Sequence, residues 1–167
     1  MATLHLLHGM VGSGKTSLAR KLERELPAVR FTHDEWMVAL RGRDPPAAGF
    51  PEMAAAIWEL IWVHAERVLR VGADVVLDGG FWTRASRDDA RRRAAALGVS
   101  CQLYDVRCPE ALARARTVRR TREMPAGALV ITEPTFDALK ARIEPLGPDE
   151  PHVVVATETE PAPAASP

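Results

Sequence analysis

A short stretch near the amino terminus carries the clearest chemistry in the chain. Gly9-Met10-Val11-Gly12-Ser13-Gly14-Lys15-Thr16, with Ser17 directly after it, satisfies G-x-x-x-x-G-K-[ST], the pattern of a phosphate-binding P-loop or Walker A motif. Glycines let the backbone turn its N–H groups into one anion-sized nest. Lys15 adds a point charge for the β- and γ-phosphates, and the Thr16 hydroxyl is a ligand for Mg²⁺. Two carboxylates join this cradle. Asp78 closes the apolar run Ala73-Asp74-Val75-Val76-Leu77-Asp78, followed by Gly79-Gly80, a Walker B pattern that brings an acid to the metal. Asp34 follows Val29-Arg30-Phe31-Thr32. At the carboxyl end of a strand it faces the crevice where ligands of open α/β sheets sit; capping the next helix is its structural alternative. Glu35 reads as a surface or supporting residue. A basic run holds Arg114, Arg116, Arg119, Arg120 and Arg122.

The elements that must position these groups alternate strand and helix. Residues 4–8 read as a buried strand, and residues 16–26 as a helix with Leu18, Leu22 and Leu26 on one face, ended by Pro27. After strand 29–32, residues 43–50 are rich in Pro, Gly and Ala and read as a flexible connection. A long helix over 51–71 places Met53, Ile57, Leu60, Ile61, His64 and Val68 on its core stripe, with Trp58 and Trp62 one position off it. Ser86-Arg87-Asp88-Asp89 fits a capping box, so a helix is expected to start within 83–88 and end near Gly98. Strand 100–106 follows, then the basic helix 109–123, a mobile loop 124–131, a helix from Thr132 to Ile143, and strand 152–156. Such alternation means a parallel sheet covered on both faces.

Composition narrows the class. The 167 residues are 47% hydrophobic and 26% charged, ordinary for one globular domain, expected over residues 1–157 with a disordered Pro/Ala-rich tail at 158–167. Lys+Arg and Asp+Glu balance at 22 each, which argues against a general nucleic-acid surface. No apolar run nears the ~20 residues of a membrane span, and a cleaved signal would destroy the motif at Gly9, so a cytoplasmic protein is expected. Cys101 and Cys108 read as buried free thiols. Lys21 and Lys140 are not followed two residues later by Asp, which removes a Ras-type guanine reader, and the length leaves little room for an AAA+ or RecA motor.

Taken together, Gly9-x-x-x-x-Gly14-Lys15-Thr16, Thr32-x-Asp34, Val75-Val76-Leu77-Asp78-Gly79-Gly80 and Arg116-x-x-x-Arg120 resemble the P-loop phosphotransferases. That group includes polynucleotide kinase 5′-domains, zeta-toxin kinases, chloramphenicol phosphotransferase and small bacterial ATP-binding proteins of the AAA_33 type. The resemblance implies a P-loop NTPase fold, with a five-stranded parallel sheet of order 2-3-1-4-5 and helices on both faces, and an arginine-bearing lid. It implies ATP and Mg²⁺ as cofactors, Asp34 as general base, and Arg116 and Arg120 as lid arginines. Two positions depart from the group: Met37 stands where polynucleotide kinases hold a phosphate-gripping arginine, and Thr121 where an asparagine often follows the second lid arginine. The expected function is transfer of phosphate from ATP to a hydroxyl of a small organic molecule, a metabolite or an antibiotic. Trp36, Trp58, Trp62, Phe81 and Trp82, with Phe50, are the expected aromatic acceptor wall, suited to a mostly apolar ligand and able equally to stack a base. A nucleic-acid-end or nucleotide-type kinase is the second enzyme reading. A non-catalytic ATP-binding switch is the alternative of another class.

Overall fold

The computed structural model describes residues 1–157; the Pro/Ala-rich tail lies outside the described residues. The chain runs β1 (Thr3–His8), α1 (Lys15–Glu25), β2 (Ala28–Thr32), α2 (His33–Arg41), α3 (Phe50–Arg70), β3 (Asp74–Asp78), α4 (Arg84–Leu97), β4 (Ser100–Arg107), α5 (Glu110–Glu123), α6 (Glu133–Lys140) and β5 (Val153–Ala156). All five strands pair in parallel in the order β2-β3-β1-β4-β5, the topology that the resemblance implies. Thr32 and Asp78 are register partners, as are His8 and Asp105. The carboxyl ends of β1, β2, β3 and β4 therefore meet along one edge of the sheet, where the P-loop lies.

Alternation along the strands builds two cores. Leu4, Leu6, Val75 and Leu77 pack with Met37 of α2, Ile57 and Ile61 of α3 and Ala90 of α4. On the other face Leu7 and Val76 meet Leu18, Ala19 and Leu22 of α1. A third cluster, Ala113, Ile131 and Phe136, packs against Met10 and Val11 and ties α5 and α6 to the P-loop. Among the described residues no helix is long and apolar enough to cross a membrane.

Several local readings need correction. The buried stripe of α3 is Ile57, Ile61, Trp62, Ala65 and Leu69, whereas Leu60 is 48% exposed and His64 is exposed. Helical geometry puts Leu60 about 200° from Trp58. With Trp58 turned toward the sheet edge, Leu60 must face water. The cap of α4 is Thr83, not Ser86: Thr83 Oγ1 accepts from Ser86 N at 3.2 Å, and Ser86 Oγ donates to the Thr83 carbonyl at 2.8 Å. Helix α6 stops at Lys140 rather than Ile143, because the chain tightens into short turns and Glu144 N is drawn to the Trp82 carbonyl at 2.8 Å. Cys101 and Cys108 are free but only half-buried.

One buried ion pair, invisible in the sequence, braces the site from behind. Arg87 is 0% exposed and Glu150 2%. Arg87 Nε and an Nη donate to the two Glu150 oxygens at 2.8 and 2.9 Å. Its other Nη reaches the Phe81 and Trp82 carbonyls at 3.2 and 3.0 Å. Gly147 N and Arg91 also donate to Glu150. Every donor has an acceptor, so the pair is worth keeping only while both partners are present. Arg87 holds the Glu150 carboxyl far below its ordinary range. Its contribution to stability is therefore full at neutral pH and fades as pH falls below the ordinary glutamate value. Arg87→Met should cost about 3–5 kcal/mol in urea unfolding by leaving Glu150 buried and unpaired. Adding Glu150→Leu should recover much of that loss. A single variant within about 0.5 kcal/mol of the parent would contradict a stabilising role.

Candidate active site

The P-loop leaves β1 at His8 and enters α1 through Gly14, which caps the helix at φ 102°. At Gly12 (φ +77°) a Cβ would lie 2.2 Å from the Ala113 carbonyl oxygen. Only glycine lets the loop rest on the backbone of α5. Lys15 is folded back on its own loop, with Nζ donating to the Gly9 and Met10 carbonyls at 2.8 and 2.7 Å. Desolvation pushes its pKa down to about 8, against the opposing pull of Asp78 and Asp34. Of the expected nucleotide-binding residues, Val11, Gly12, Gly14, Lys15, Thr16 and Ser17 line a cavity of about 1110 Å³, while Gly9, Met10 and Ser13 lie behind that lining. A volume just above the usual ~300–1,000 Å³ range has room for a nucleotide and a compact second ligand.

Thr16 and Asp78 meet as the Walker pair should: Thr16 Oγ1 donates to Asp78 Oδ1 at 3.3 Å. Asp78 is 6% exposed, and burial raises its pKa, with Arg30 and Lys15 pulling the other way. Arg30 belongs to no recognisable motif. It reaches Asp78 Oδ2 at 3.3 Å and Glu35 at 2.9 Å, and it also donates to the Thr32 hydroxyl. Among the described residues no cluster of three metal-binding side chains exists. The donor set fits Mg²⁺, which takes one or two protein oxygens and completes its shell with phosphate and water.

Asp34 lies in the first turn of α2, whose cap is Thr32, so it is not the N-cap. It lines the same cavity as Lys15, Thr16 and Asp78. Its side chain is 43% exposed, with Oδ1 3.6 Å from His33 Nδ1. Among the described residues no arginine or lysine is paired with it. Glu35 also lines the cavity but is tied to Arg30.

Arg116 and Arg120 of α5 line the cavity, and Arg119 joins them. Among the described residues, Arg120 Nε is buried without a hydrogen-bond partner, a donor that a polyphosphate would satisfy. Arg114 instead pairs with Glu110 and Asp137, away from the cavity. Thr121 donates to the Ile131 carbonyl at 3.0 Å and accepts from its N–H at 3.1 Å, which pins the segment after α5. That segment crosses the cavity as a roof. Val130 N donates to the Arg43 carbonyl at 2.9 Å, and Gly127 lies against the Glu35 side chain.

The aromatic wall forms with one exception. Phe50, Trp58, Trp62, Phe81 and Trp82 line the cavity. Trp36 does not; it packs edge-on against Phe31 and His64. Gly79 and Gly80 make space for the wall: a Cβ at Gly79 would sit 2.5 Å from Trp58 Cη2, and one at Gly80 would sit 2.3 Å from Trp82 Cε2. Trp82 Nε1 donates to the Gly9 carbonyl at 2.9 Å. Phe81 adopts φ 30°, a conformation that side chains disfavour. His8 Nδ1 and Arg87 hold its carbonyl, each at 3.2 Å. Met37 is 0% exposed, inside the core, so its position faces no ligand.

The family model described as AAA domain (AAA_33) matches residues 4–146, and the chain belongs to that family. No curated protein matches it in sequence. Several solved structures share its fold, three of them as follows. A Chloroflexus aurantiacus protein provisionally named a kinase superposes with a TM-score of 0.75 at 16% identity, covering 94% of this chain and 89% of that one. Chaetomium thermophilum Kti12 in complex with ADP-AlF3 gives 0.73 at 20% identity, covering 92% and 88%. A gluconokinase from Sinorhizobium meliloti gives 0.60 at 18% identity, covering 96% and 84%. At these identities the likeness is one of fold, that of P-loop nucleotide-binding proteins.

The lowered pKa of Lys15 makes nucleotide binding sensitive to pH. A bound polyphosphate favours the charged ammonium and raises its pKa, so affinity is greatest below about 8 and falls as pH rises through that value. From about pH 7 to about pH 9.5 the Kd for ATP should climb toward tenfold per unit. Lys15→Arg, charged throughout, should flatten that rise. A flat profile in the parent protein would contradict the desolvated cation.

Proposed function

We propose that this AAA-domain family member transfers the γ-phosphoryl group of ATP to a hydroxyl of a small organic molecule, with Asp34 as general base. One observation carries the reading. A carboxylate that forms no ion pair with an arginine or lysine among the described residues shares a roofed cavity with the phosphate loop. Asp34 is close enough to bias the protonation of both Lys15 and Asp78. A protein that only bound nucleotide would have no use for it there.

In this reading Asp34 takes the acceptor proton as the alcohol oxygen bonds to the γ-phosphorus, the bond to the β–γ bridging oxygen breaks, and ADP leaves. Lys15, Arg116 and Arg120 spread charge from the transferred group. Thr16 and Asp78 would hold Mg²⁺, which neutralises phosphate charge when bound. ATP as donor is consistent with work in the cytoplasm. A nucleic-acid end fits less well, because Met37 is buried and residues 125–129 line the chamber that a polymer would have to enter.

ADP release over a panel of alcohols, nucleosides and oligonucleotides tests the proposal. Asp34→Asn should lower kcat by roughly 10²–10⁴ while ATP affinity holds, whereas Lys15→Ala should weaken both ATP binding and transfer. An Asp34→Asn enzyme with full turnover would remove the base. An equal loss of ATP binding would reassign Asp34 to the nucleotide.

A further inference from the structure

We infer that the acceptor presents its hydroxyl on an aromatic or alicyclic frame, and that it is neither a polyol nor a nucleoside. This rests on the kinase reading above and narrows it to a substrate class.

The wall beside Asp34 is built from α3. Phe50, Ala54, Trp58 and Trp62 recur at four-residue intervals and all line the cavity, so one helix face points into the chamber. Trp58 stacks on His33 with centroids 5.5 Å apart at 24°, and meets Phe81 edge-on at 5.6 Å and 68°. His33 in turn lies 3.6 Å from Asp34. The aromatic surface thus begins within one side chain of the proposed base.

The polar groups around that wall are already engaged. His33 Nε2 donates to the Ala54 carbonyl at 3.3 Å. At the far end Ser86 Oγ is spent on the Thr83 carbonyl at 2.8 Å. Asp89 is held by Arg92 and Arg93 at 2.7 and 2.9 Å, and the Arg93 guanidinium also covers the Trp62 ring at 4.7 Å.

A polyol or a base edge needs several planar donor–acceptor groups, and leaving them unmet is costly. Carboxamides are the usual neutral supply. The chain contains no asparagine and a single glutamine, Gln102, which lies on β4 outside the cavity lining. Arg20, Glu35, Arg116, Arg119, Arg120 and Glu123 also line the cavity, from α1, α2 and α5, and Arg142 lies over the Trp82 ring at 5.9 Å. A ring with one reacting hydroxyl suits what is left.

The test pairs binding with transfer on the full chain. Ligand-observed NMR in the presence of ADP, Mg²⁺ and aluminium fluoride would compare 3-phenylpropanol, cyclohexylmethanol, D-gluconate and adenosine, with transfer from ATP followed in parallel. The ring alcohols should bind and the other two should not. Trp58→Ala should weaken ring-alcohol binding about tenfold or more with ATP affinity unchanged, and Trp58→Phe should restore it. Ala55→Glu, at an exposed position that lines the chamber, should weaken the same ligands without disturbing the core. Gluconate or adenosine binding that ignores Trp58→Ala would overturn the inference, as would absence of ring-alcohol binding. Phosphate reaching gluconate while ring alcohols are ignored would sink this inference and leave the kinase reading standing. Ring alcohols bound through Trp58 without any transfer would support the chamber's specificity and remove the kinase reading instead.

Discussion

Lys15 carries a positive charge into a loop where two backbone carbonyls, those of Gly9 and Met10, hold its ammonium in place of a carboxylate. Desolvation makes that charge costly, and its pKa falls to about 8. The surrounding groups are arranged about this cation. Asp78 and Asp34 draw on it from the ends of neighbouring strands, and Arg120 opposes it from α5. A cradle of this kind favours polyanions, since a phosphate chain relieves both the desolvated lysine and the Arg120 Nε that has no partner among the described residues. The parallel sheet exists, in functional terms, to bring three loops to that point.

A second set of contacts holds the acceptor side in register with the first. The Glu150–Arg87 pair grips the Phe81 and Trp82 carbonyls, and Trp82 returns a hydrogen bond to Gly9. The turn after Asp78 is thus fastened at its backbone to the phosphate loop. Gly79 and Gly80 give the indoles of Trp58 and Trp82 the space to lie against that turn. Asp78, the aromatic wall and the phosphate loop are therefore fastened to one another, an arrangement that suits chemistry relying on positioning more than on covalent help.

The P-loop and the meeting of Thr16 with Asp78 could be read from the chain, because each rests on local pattern: glycine spacing, an apolar run and an acid at a strand end; the strand order was implied by the resemblance to the P-loop phosphotransferases. Two kinds of feature could not. Arg87, Glu150 and Arg30 look like surface charges in a chain rich in arginine, and only long-range packing makes them buried partners. The rotation of α3 is hidden for a related reason. Leu60 and Trp58 are both apolar, and periodicity alone does not say which of two apolar stripes meets the sheet and which meets a ligand chamber. Trp36 failed as a wall residue because adjacency to Asp34 along α2 does not set the same direction. Trp58, far away in sequence, took that place through its stack on His33.

Phosphorus NMR of the full chain with ATP, Mg²⁺ and a panel of small alcohols tests the central claim most directly. Phosphoryl transfer in the roofed chamber predicts a phosphomonoester resonance that grows as the γ-phosphate signal of ATP declines, and only when an acceptor is present. ATP that binds yet yields no monoester with any alcohol, or that yields inorganic phosphate alone, would contradict it.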